Sequence, residues 1–309
     1  MSLVMSATLI MVLAALLDRV FGEPRRWHPL VGFGWLAQQV EARWNCARFS
    51  PRVRRLNGVL ALSLVVAPFV MGALLAVHYT AYGFVIAVLL LYLALGAQSL
   101  AEHARRVQQA LDTQDLPLAR TRVSYLVSRD SAAMTSPDVA RAAVESVLEN
   151  GNDAVFGALF WFVVAGAPGV VLYRLVNTLD AMWGYRTPQY ADFGWTAARL
   201  DDLLNFIPAR LTACSYAVLG QCARALRCWR EQARAWESPN AGPVMAAGAG
   251  ALGLQLGGPA MYHGALKARP VLGAGAAPNS VDIARALRLV NQSIVLWLAV
   301  IALSEWLLT

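Results

Sequence analysis

The sequence predicts an all-α, polytopic integral membrane protein: a helical bundle with a polar helical face on its cytoplasmic side. Apolar residues make up 58% of the 309 residues, charged residues only 15%, and the mean hydropathy is +0.48. A soluble domain carries roughly 25% charged residues. In addition, residues 56–101 form a stretch of 46 residues without Asp, Glu, Lys or Arg. That length is enough for two membrane helices of about 20 residues each.

Four segments are predicted as membrane spans within a single membrane domain that covers residues 1–309. The first ends at Asp18-Arg19 and has no basic residue before it, which favours a retained anchor over a cleavable signal peptide. The second and third fill the long uncharged stretch on either side of a turn, and the fourth closes the sequence. The predicted spans are residues 1–17, 58–77, 81–100 and 289–308.

A further uncharged segment, residues 154–173, is interrupted by Gly166-Ala167-Pro168-Gly169. Because glycine and proline break helices, we expect two short helices that form a re-entrant hairpin over residues 154–176. A single kinked span is the alternative. Residues 211–223 are apolar but short for a span, and residues 238–266 hold seven glycines, too many for a simple lipid-facing helix.

The basic residues indicate both orientation and chemistry, and all 26 except Lys267 are arginine. Residues 18–55 and residues 224–288 each carry eight basic residues against three acids. The positive-inside rule therefore places both segments in the cytoplasm. Arginine forms paired hydrogen bonds with carboxylates and phosphates. Because the arginines lie between apolar stretches rather than on a soluble basic face, they favour anionic small molecules over nucleic acid as partners.

Three acids spaced four residues apart, Glu145, Glu149 and Asp153, are predicted to share one face of a helix that begins near Pro137. With Arg141 they fit a solvated ladder of ion pairs. Carboxylate oxygens are, however, also the ligands of Mg²⁺. The excess of acids directly before the predicted hairpin favours a metal site.

The segment 177–210 is a second concentration of polar side chains. Polar groups beside membrane segments are costly unless they are paired or functional. An i,i+3 ion pair between Arg199 and Asp202 is the structural interpretation, but it leaves most of the segment unexplained. The polar residues are Asn177, Asp180, Tyr185, Arg186, Tyr190, Asp192, Arg199, Asp201, Asp202 and Asn205.

Other motifs are less specific. His28 stands alone before Pro29, as structural histidines often do, and Ser128-Arg129-Asp130 fits a surface turn as well as a phosphate-binding element. Gly248-Ala-Gly250-Ala-Leu-Gly253 matches the dinucleotide pattern, but it has no preceding strand and no acid about 20 residues later, so helix packing explains it better. The four cysteines have neither disulfide-framework nor zinc-site spacing.

Together the motifs resemble those of the adenosylcobinamide-phosphate synthases of cobalamin biosynthesis, over nearly the whole chain. The departures, at Ala154, Ala158 and Pro243, concern backbone geometry more than charged groups. The motifs that carry the resemblance are Asp18-Arg-Val-Phe-Gly22-Glu-Pro24 with His28-Pro29, Val127-Ser128-Arg129-Asp130, Glu145-Ser-Val-Leu-Glu149-Asn150 through Asp153, Leu159-Phe160-Trp161, Asn177-Thr-Leu-Asp180-Ala-Met-Trp-Gly184-Tyr185-Arg186-Thr-Pro188, Phe193-Gly194-Trp195, Ala198-Arg199-Leu-Asp201-Asp202, Asn205-Phe-Ile-Pro208-Ala-Arg210 and Ser238-Pro239-Asn240-Ala241-Gly242.

The resemblance implies an ATP-dependent amide ligase that uses ATP and Mg²⁺. It would join the f-side-chain carboxylate of adenosylcobyric acid to (R)-1-amino-2-propanol O-2-phosphate, or to free aminopropanol, and give adenosylcobinamide phosphate. It also implies a location in the bacterial inner membrane, an active site that faces the cytoplasm, and contacts with other late enzymes of the pathway.

With the resemblance, each group of polar residues receives an expected role. A membrane sensor or regulator of the same fold stays open as an alternative, although the retained acids and arginines disfavour it. A transporter of corrinoids or other anions also stays open, although transporters usually show paired repeats. The expected roles are metal binding by Glu145, Glu149 and Asp153; catalysis by His28, Asp180, Asp201 and Asp202; and substrate or phosphate binding by Arg129, Asn177, Tyr185, Arg186, Arg199, Asn205 and Asn240.

Overall fold

The computed structural model describes residues 6–24, 28–262 and 264–308, which are mainly helical. This confirms the predicted all-α polytopic fold class. The helices are α1 (Ala7–Phe21), α2 (Pro29–Trp44), α3 (Pro51–Tyr79), α4 (Gly83–Ala94), α5 (Ala97–Asp112), α6 (Leu116–Val123), α7 (Ser136–Gly151), α8 (Gly157–Trp183), α9 (Trp195–Leu204), α10 (Phe206–Leu219), α11 (Cys222–Gln232), α12 (Ala241–Leu252) and α13 (Ser280–Leu308). The strands are β1 (Gln255–Gly257), β2 (Ala260–Tyr262), β3 (Ala265–Lys267) and β4 (Val271–Gly273).

Within the described residues, four helical segments are long and apolar enough to cross a membrane. The predicted spans 58–77 and 289–308 fall inside two of these segments, and the predicted span 81–100 overlaps a third but begins two residues before Gly83. The predicted span 1–17 begins outside the described residues; its described part starts with Ser6, the N-cap of α1, and continues in α1. The four segments are Pro51–Tyr79, Gly83–Asp112, Ser136–Trp183 and Ser280–Leu308.

The chain reverses its direction inside α8. Ala165 and Gly166 have non-helical backbone angles, with φ at +62° for Gly166. In a straight helix residues 157 and 173 would be about 24 Å apart. Instead, a Cβ added at Gly157 would lie 2.1 Å from the Tyr173 hydroxyl oxygen. The two halves of α8 therefore pack against each other, so the backbone reverses here instead of forming a single kinked helix. Entry of this hairpin into the bilayer stays a prediction.

The chain separates into two compact units, each built from discontinuous segments. Unit 1 comprises Met1–Gly96 and Gly157–Asn205, and unit 2 comprises Ala97–Phe156 and Phe206–Thr309. A single membrane domain over residues 1–309 stays a prediction. Each unit is described by itself below.

In unit 1 the core lies where α3 packs against α8 and α9, with α2 alongside. Its largest buried side chains include Trp183, at the end of α8, and Phe193, just before α9. Their rings meet edge to face with centroids 5.0 Å apart. This contact fixes the end of α8 and the start of α9, the two elements that carry the polar residues of segment 177–210.

In unit 2 the apolar helix α12 is buried along its whole length and packs against α10 and α11. A Cβ added at Gly248 would lie 2.8 Å from the Leu148 side chain, so the small residue allows α7 and α12 to approach closely. The glycine motif thus serves helix packing, as predicted. After α12 the chain forms two antiparallel strand pairs, β1 with β4 and β2 with β3.

Candidate functional site

Glu145, on α7, is the centre of a buried ion-pair cluster in unit 2. Its Oε2 accepts hydrogen bonds from Nη2 of Arg129 at 2.7 Å and from Nη2 of Arg269 at 3.0 Å. Its Oε1 accepts from the backbone N–H of Gly257 at 2.7 Å. The side chains of Glu145 and Arg129 are only 5% and 7% exposed. Buried charges of this kind persist only when they are paired and hydrogen-bonded.

Arg269, which the sequence analysis did not identify, contacts an aromatic ring and a backbone carbonyl in addition to Glu145. Its guanidinium lies 5.0 Å from the centroid of the Trp236 ring, and its Nε donates to the carbonyl oxygen of Gly258 at 3.2 Å. Burial alone would lower the pKa of Arg269, but the Glu145 carboxylate raises it above its ordinary value. Only Arg269 and Lys267 are charged between Glu237 and Asp282. Its isolation in a glycine-rich stretch is the sequence feature that could have identified Arg269 as a functional candidate.

A cavity of about 140 Å³ lies beside this cluster. Within unit 2 it brings together residues 126–129, the α7 acids Glu145 and Glu149, and Tyr262 and Arg269 from the strand-containing stretch after α12. Both a carboxylate, Glu149, and the two arginines Arg129 and Arg269 line it, so the wall carries both signs of charge. Tyr262 was also not singled out from the sequence. The lining residues are Leu126, Val127, Ser128, Arg129, Glu145, Ser146, Glu149, Asn150, Tyr262 and Arg269.

Asp153 does not line this cavity, although its spacing predicts the same helix face as Glu145 and Glu149. The reason is that α7 passes into a π-helical turn over Asn152–Phe156. A π turn inserts an extra residue per turn and so changes which side chains share a face. Asp153 accepts a hydrogen bond from Nδ2 of its neighbour Asn152 at 2.9 Å, and Thr212 donates to Asn152 at 3.0 Å.

In the described part of the chain, no group of three or more His, Cys, Asp or Glu residues is arranged to hold a metal ion. Both oxygens of Glu145 already accept hydrogen bonds, as described above. Metal binding by Glu145, Glu149 and Asp153 therefore stays a prediction, and the cluster around Glu145 does not by itself favour it.

Asp201 is the centre of the polar cluster in unit 1. Its Oδ1 accepts from Nδ2 of Asn177 at 3.1 Å, and its Oδ2 accepts from Nδ2 of Asn205 at 3.1 Å. The Tyr173 hydroxyl donates in turn to Oδ1 of Asn205 at 2.9 Å. Burial raises the pKa of Asp201 above its ordinary value, the two amide donors lower it, and Asp202 raises it further.

Two more acids lie near Asp201. Asp180, three residues before the end of α8, lies close enough to Asp201 and Asp202 for their negative charges to repel its own. A Cβ added at Gly184 would lie 1.9 Å from Oδ1 of Asp180, so only glycine leaves room for this carboxylate. Burial also raises the pKa of Asp202, and the charges of Arg199 and Arg186 oppose that rise. The structure thus brings together the three acids that the sequence predicts to be catalytic.

The two arginines predicted to bind phosphate in this segment, Arg186 and Arg199, are exposed. Nη1 of Arg199 lies 3.6 Å from Oδ2 of Asp202, so the i,i+3 pair is present but long. Tyr185 is also exposed, at 51%. These side chains border the buried acids and are available to an anion from solvent.

His28 caps the start of α2, where its Nδ1 accepts from the backbone N–H of Leu30 at 3.2 Å. Burial lowers the pKa of His28; the nearby charge of Glu23 opposes this change and that of Arg174 adds to it. The hydrogen bond to Leu30 stabilises the start of α2. A catalytic role for His28 stays a prediction.

Asn240 precedes α12 in unit 2, where its Oδ1 accepts from Nη1 of Arg210 at 2.6 Å. Nη2 of Arg210 donates to the carbonyl oxygen of Pro239 at 2.9 Å. The motif around Asn240 therefore ties α10 to the start of α12. It does not line the cavity beside Glu145.

The predicted site residues are divided between the two units. Unit 1 has the cluster of aspartates with its amide donors, and unit 2 has the mixed-charge cavity. The members in unit 1 are His28, Asn177, Asp180, Tyr185, Arg186, Arg199, Asp201, Asp202 and Asn205, and those in unit 2 are Arg129, Glu145, Glu149, Asp153 and Asn240.

Comparison with known proteins gives consistent matches over almost the whole chain. Residues 11–290 match the family model described as CobD/Cbib protein. Relatives named Cobalamin biosynthesis protein CobD include one from Chromobacterium violaceum, 57% identical over 298 residues and covering 96% of each chain. The one from Stutzerimonas stutzeri is 58% identical over 303 residues, covering 98% of this chain and 99% of its own. The one from Mycobacterium tuberculosis is 41% identical over 283 residues, with 89% and 88% coverage. No solved structure matches.

Proposed function

Because the chain belongs to the CobD/Cbib family and has a role in cobalamin biosynthesis, we propose that it is an ATP-dependent amide ligase. It joins the f-side-chain carboxylate of adenosylcobyric acid to (R)-1-amino-2-propanol O-2-phosphate and gives adenosylcobinamide phosphate. The names of the relatives support a role in the cobalamin pathway. The aspartate cluster of unit 1 and the mixed-charge cavity of unit 2 each contain side chains of the kind that the ligase reaction needs.

The proposed reaction has two steps. A carboxylate oxygen of the corrinoid attacks the γ-phosphorus of ATP, ADP leaves, and an acyl phosphate forms. The amine nitrogen then attacks the acyl carbon, inorganic phosphate leaves, and a base takes the proton lost from nitrogen. Phosphoryl transfer of this kind depends on positioning and on neutralising charge, and the second step depends on general base catalysis.

One observation carries the proposal most directly: Asp180 and Asp201 form a partly buried group of acids with no cation paired to either among the described residues. Amide donors rather than guanidinium groups support Asp201. Uncompensated negative charge at a partly buried site is stabilised by a bound cation. Mg²⁺ is typically held by one or two carboxylates together with substrate phosphates and water. Asp180 and Asp201 therefore fit as the residues that would hold Mg²⁺.

The cavity of about 140 Å³ in unit 2 fits the amine substrate. Aminopropanol phosphate carries an ammonium group and a phosphate group, and the cavity wall has a carboxylate at Glu149 and guanidinium groups at Arg129 and Arg269. Arginine binds phosphate oxygens through paired hydrogen bonds. This mixed lining supports the phosphorylated amine over free aminopropanol. Glu149 would hold the ammonium group and accept its proton.

A reconstituted assay tests the proposal. Protein purified in detergent is incubated with adenosylcobyric acid, aminopropanol phosphate and Mg-ATP, and the corrinoid products and ADP are measured by mass spectrometry. We expect adenosylcobinamide phosphate to form only with Mg-ATP. The Asp201→Asn variant should lose about a hundredfold or more in turnover, as other enzymes do when a charge-stabilising group is removed.

The matched control is Asp192→Asn, because Asp192 lies in the same segment but pairs with Arg55 at 2.9 Å, apart from the three acids. It should keep near-normal turnover. Corrinoid flux into proteoliposomes without amide product would instead identify a transporter and overturn the ligase proposal.

A further inference from the structure

A groove of about 800 Å³ in unit 2 runs between α5 and α13 and shares no residue with the proposed catalytic clusters. Its polar end is formed by Arg105 and Gln108 of α5 and by Arg288 and Asn291 of α13. Further along α13, its lining consists of Val295, Leu296 and Ala299. One elongated site thus offers cationic and amide groups at one end and an apolar wall at the other.

The two arginines of this groove are unpaired among the residues that the structure describes. Neither Arg105 nor Arg288 makes an ion pair or a side-chain hydrogen bond with any residue that the structure describes, and both line the same groove. Their neighbours behave differently, because Arg106 pairs with Glu102 at 3.4 Å and Arg285 pairs with Asp282 at 2.6 Å. Like charges that face one groove repel each other unless an anion lies between them.

Both arginines also mark an end of an apolar stretch. Arg288 directly precedes residues 289–304, which contain no charged residue, and α13 is one of the helices able to cross a membrane. Arg105 follows the end of the uncharged stretch 56–101 by four residues. Arginines at such boundaries lie at the level of lipid headgroups. The apolar end of the groove then lies at the depth of the acyl chains.

We propose that the groove binds an anionic phospholipid. Its phosphate lies between the guanidinium groups of Arg105 and Arg288, and the amides of Gln108 and Asn291 contact its polar backbone. An acyl chain follows the apolar wall past Leu296. Basic sites between membrane helices recognise anionic headgroups in this way, whereas a zwitterionic lipid would bring its own cation toward the arginines.

Lipid titration tests this proposal. Delipidated protein in detergent is titrated with phosphatidylglycerol or with phosphatidylcholine, and the bound lipid is counted by native mass spectrometry. We expect phosphatidylglycerol to bind more tightly to the wild type. The Arg105→Gln/Arg288→Gln double variant should bind it about thirtyfold more weakly, because each arginine near an anionic headgroup contributes about fivefold.

Two further variants make the result specific. Arg106→Gln removes an arginine one position away that pairs with Glu102 outside the groove, so it should bind phosphatidylglycerol as the wild type does. Ala299→Trp fills the apolar end without changing charge, and it should weaken lipid binding while leaving the arginines in place.

Three outcomes would overturn the proposal. These are equal binding of phosphatidylcholine and phosphatidylglycerol, unchanged phosphatidylglycerol binding by the double variant, and displacement of bound lipid by inorganic phosphate alone. The last would assign the arginines to a free anion. The thermal unfolding temperature of each variant, measured without lipid, separates a loss of binding from a loss of fold.

Discussion

At the residue scale, the pairing of Glu145 with two arginines is the clearest electrostatic feature of unit 2. Arg269 comes to Glu145 from 124 positions away in the sequence. Because the buried carboxylate of Glu145 on α7 accepts hydrogen bonds from Arg269 and from Gly257, it fixes residues 255–273, which contain the four strands, against α7. Removing the carboxylate would leave the charges of Arg129 and Arg269 without the anion that both of them bind, and removing one partner of a buried ion pair is strongly destabilising.

We therefore predict that Glu145→Gln destabilises the protein by about 3–5 kcal/mol. The measurement is thermal or denaturant unfolding in detergent. The control is Glu102→Gln, which breaks the exposed pair with Arg106 and should cost about 1 kcal/mol or less. Equal effects of the two changes would contradict the buried cluster.

His28 gives a pH prediction. Burial lowers its pKa in the folded protein below the ordinary value of 6.5, so the folded state binds fewer protons than the unfolded state. The stability that the neutral ring provides is therefore complete above that value and is lost as pH falls through the lowered pKa.

His28→Asn keeps a side chain able to cap α2 but removes the titration. The unfolding temperature of the wild type should fall more steeply than that of the variant between about pH 7 and about pH 5. Parallel curves for the two proteins would show that His28 does not titrate in this range.

The identity of most polar residues in these clusters could be predicted from sequence, but their partners could not. Acids and arginines stand out in a chain that is only 15% charged, and this drew attention to Glu145 and Asp201. The pairing of Arg269 with Glu145 depends on a strand segment returning to α7, and no local pattern encodes it. The capping role of His28 is local, yet a lone histidine before a proline gives the same pattern for several roles.

At the element scale, the hairpin in α8 couples packing to the aspartate cluster. Gly157, at the start of the first half, lies against the Tyr173 hydroxyl of the second half. That hydroxyl donates to Asn205, which in turn donates to Asp201.

The reversal of α8 was predictable because Gly166 and Pro168 interrupt an apolar run. The π turn at Asn152–Phe156 was not, because a four-residue spacing of acids looks the same whether or not the helix changes its hydrogen bonding.

We predict that Gly157→Ala lowers both stability and turnover. The new Cβ would lie 2.1 Å from the Tyr173 hydroxyl oxygen, so Tyr173 must move and its hydrogen bond to Asn205 weakens. Overpacking of this kind costs about 1–3 kcal/mol. Unfolding and the amide assay measure the two effects.

The matched control is Gly72→Ala in α3, where an added Cβ meets nothing within 4 Å. It should be neutral or slightly stabilising, because alanine favours the helix. If Gly157→Ala were equally harmless, the close packing of the hairpin would be wrong.

At the scale of the whole molecule, the fold class followed from composition because apolar stretches of membrane length leave few alternatives. The division into two units could not be predicted, since each unit joins segments distant in sequence. The orientation in the membrane stays a prediction from the positive-inside rule. It assigns residues 18–55 and 224–288 to the cytoplasm, and the predicted hairpin over residues 154–176 returns the segment with Asp201 to the same side.

Cysteine labelling tests this orientation. Tyr185 is 51% exposed, so Tyr185→Cys in a background without the four native cysteines should react readily. We predict that an impermeant maleimide labels it in inside-out vesicles and not in intact spheroplasts. Labelling from the periplasmic side would place the acids of unit 1 in the wrong compartment for cytoplasmic ATP.

The most direct test of the central claim follows oxygen from the corrinoid carboxylate. Adenosylcobyric acid labelled with ¹⁸O in its f-side-chain carboxylate is converted with Mg-ATP and aminopropanol phosphate, and the inorganic phosphate is analysed by mass spectrometry. Activation through an acyl phosphate predicts one ¹⁸O in each phosphate released, matched to one amide formed. Amide formation with unlabelled phosphate, or no amide at all, would contradict the account.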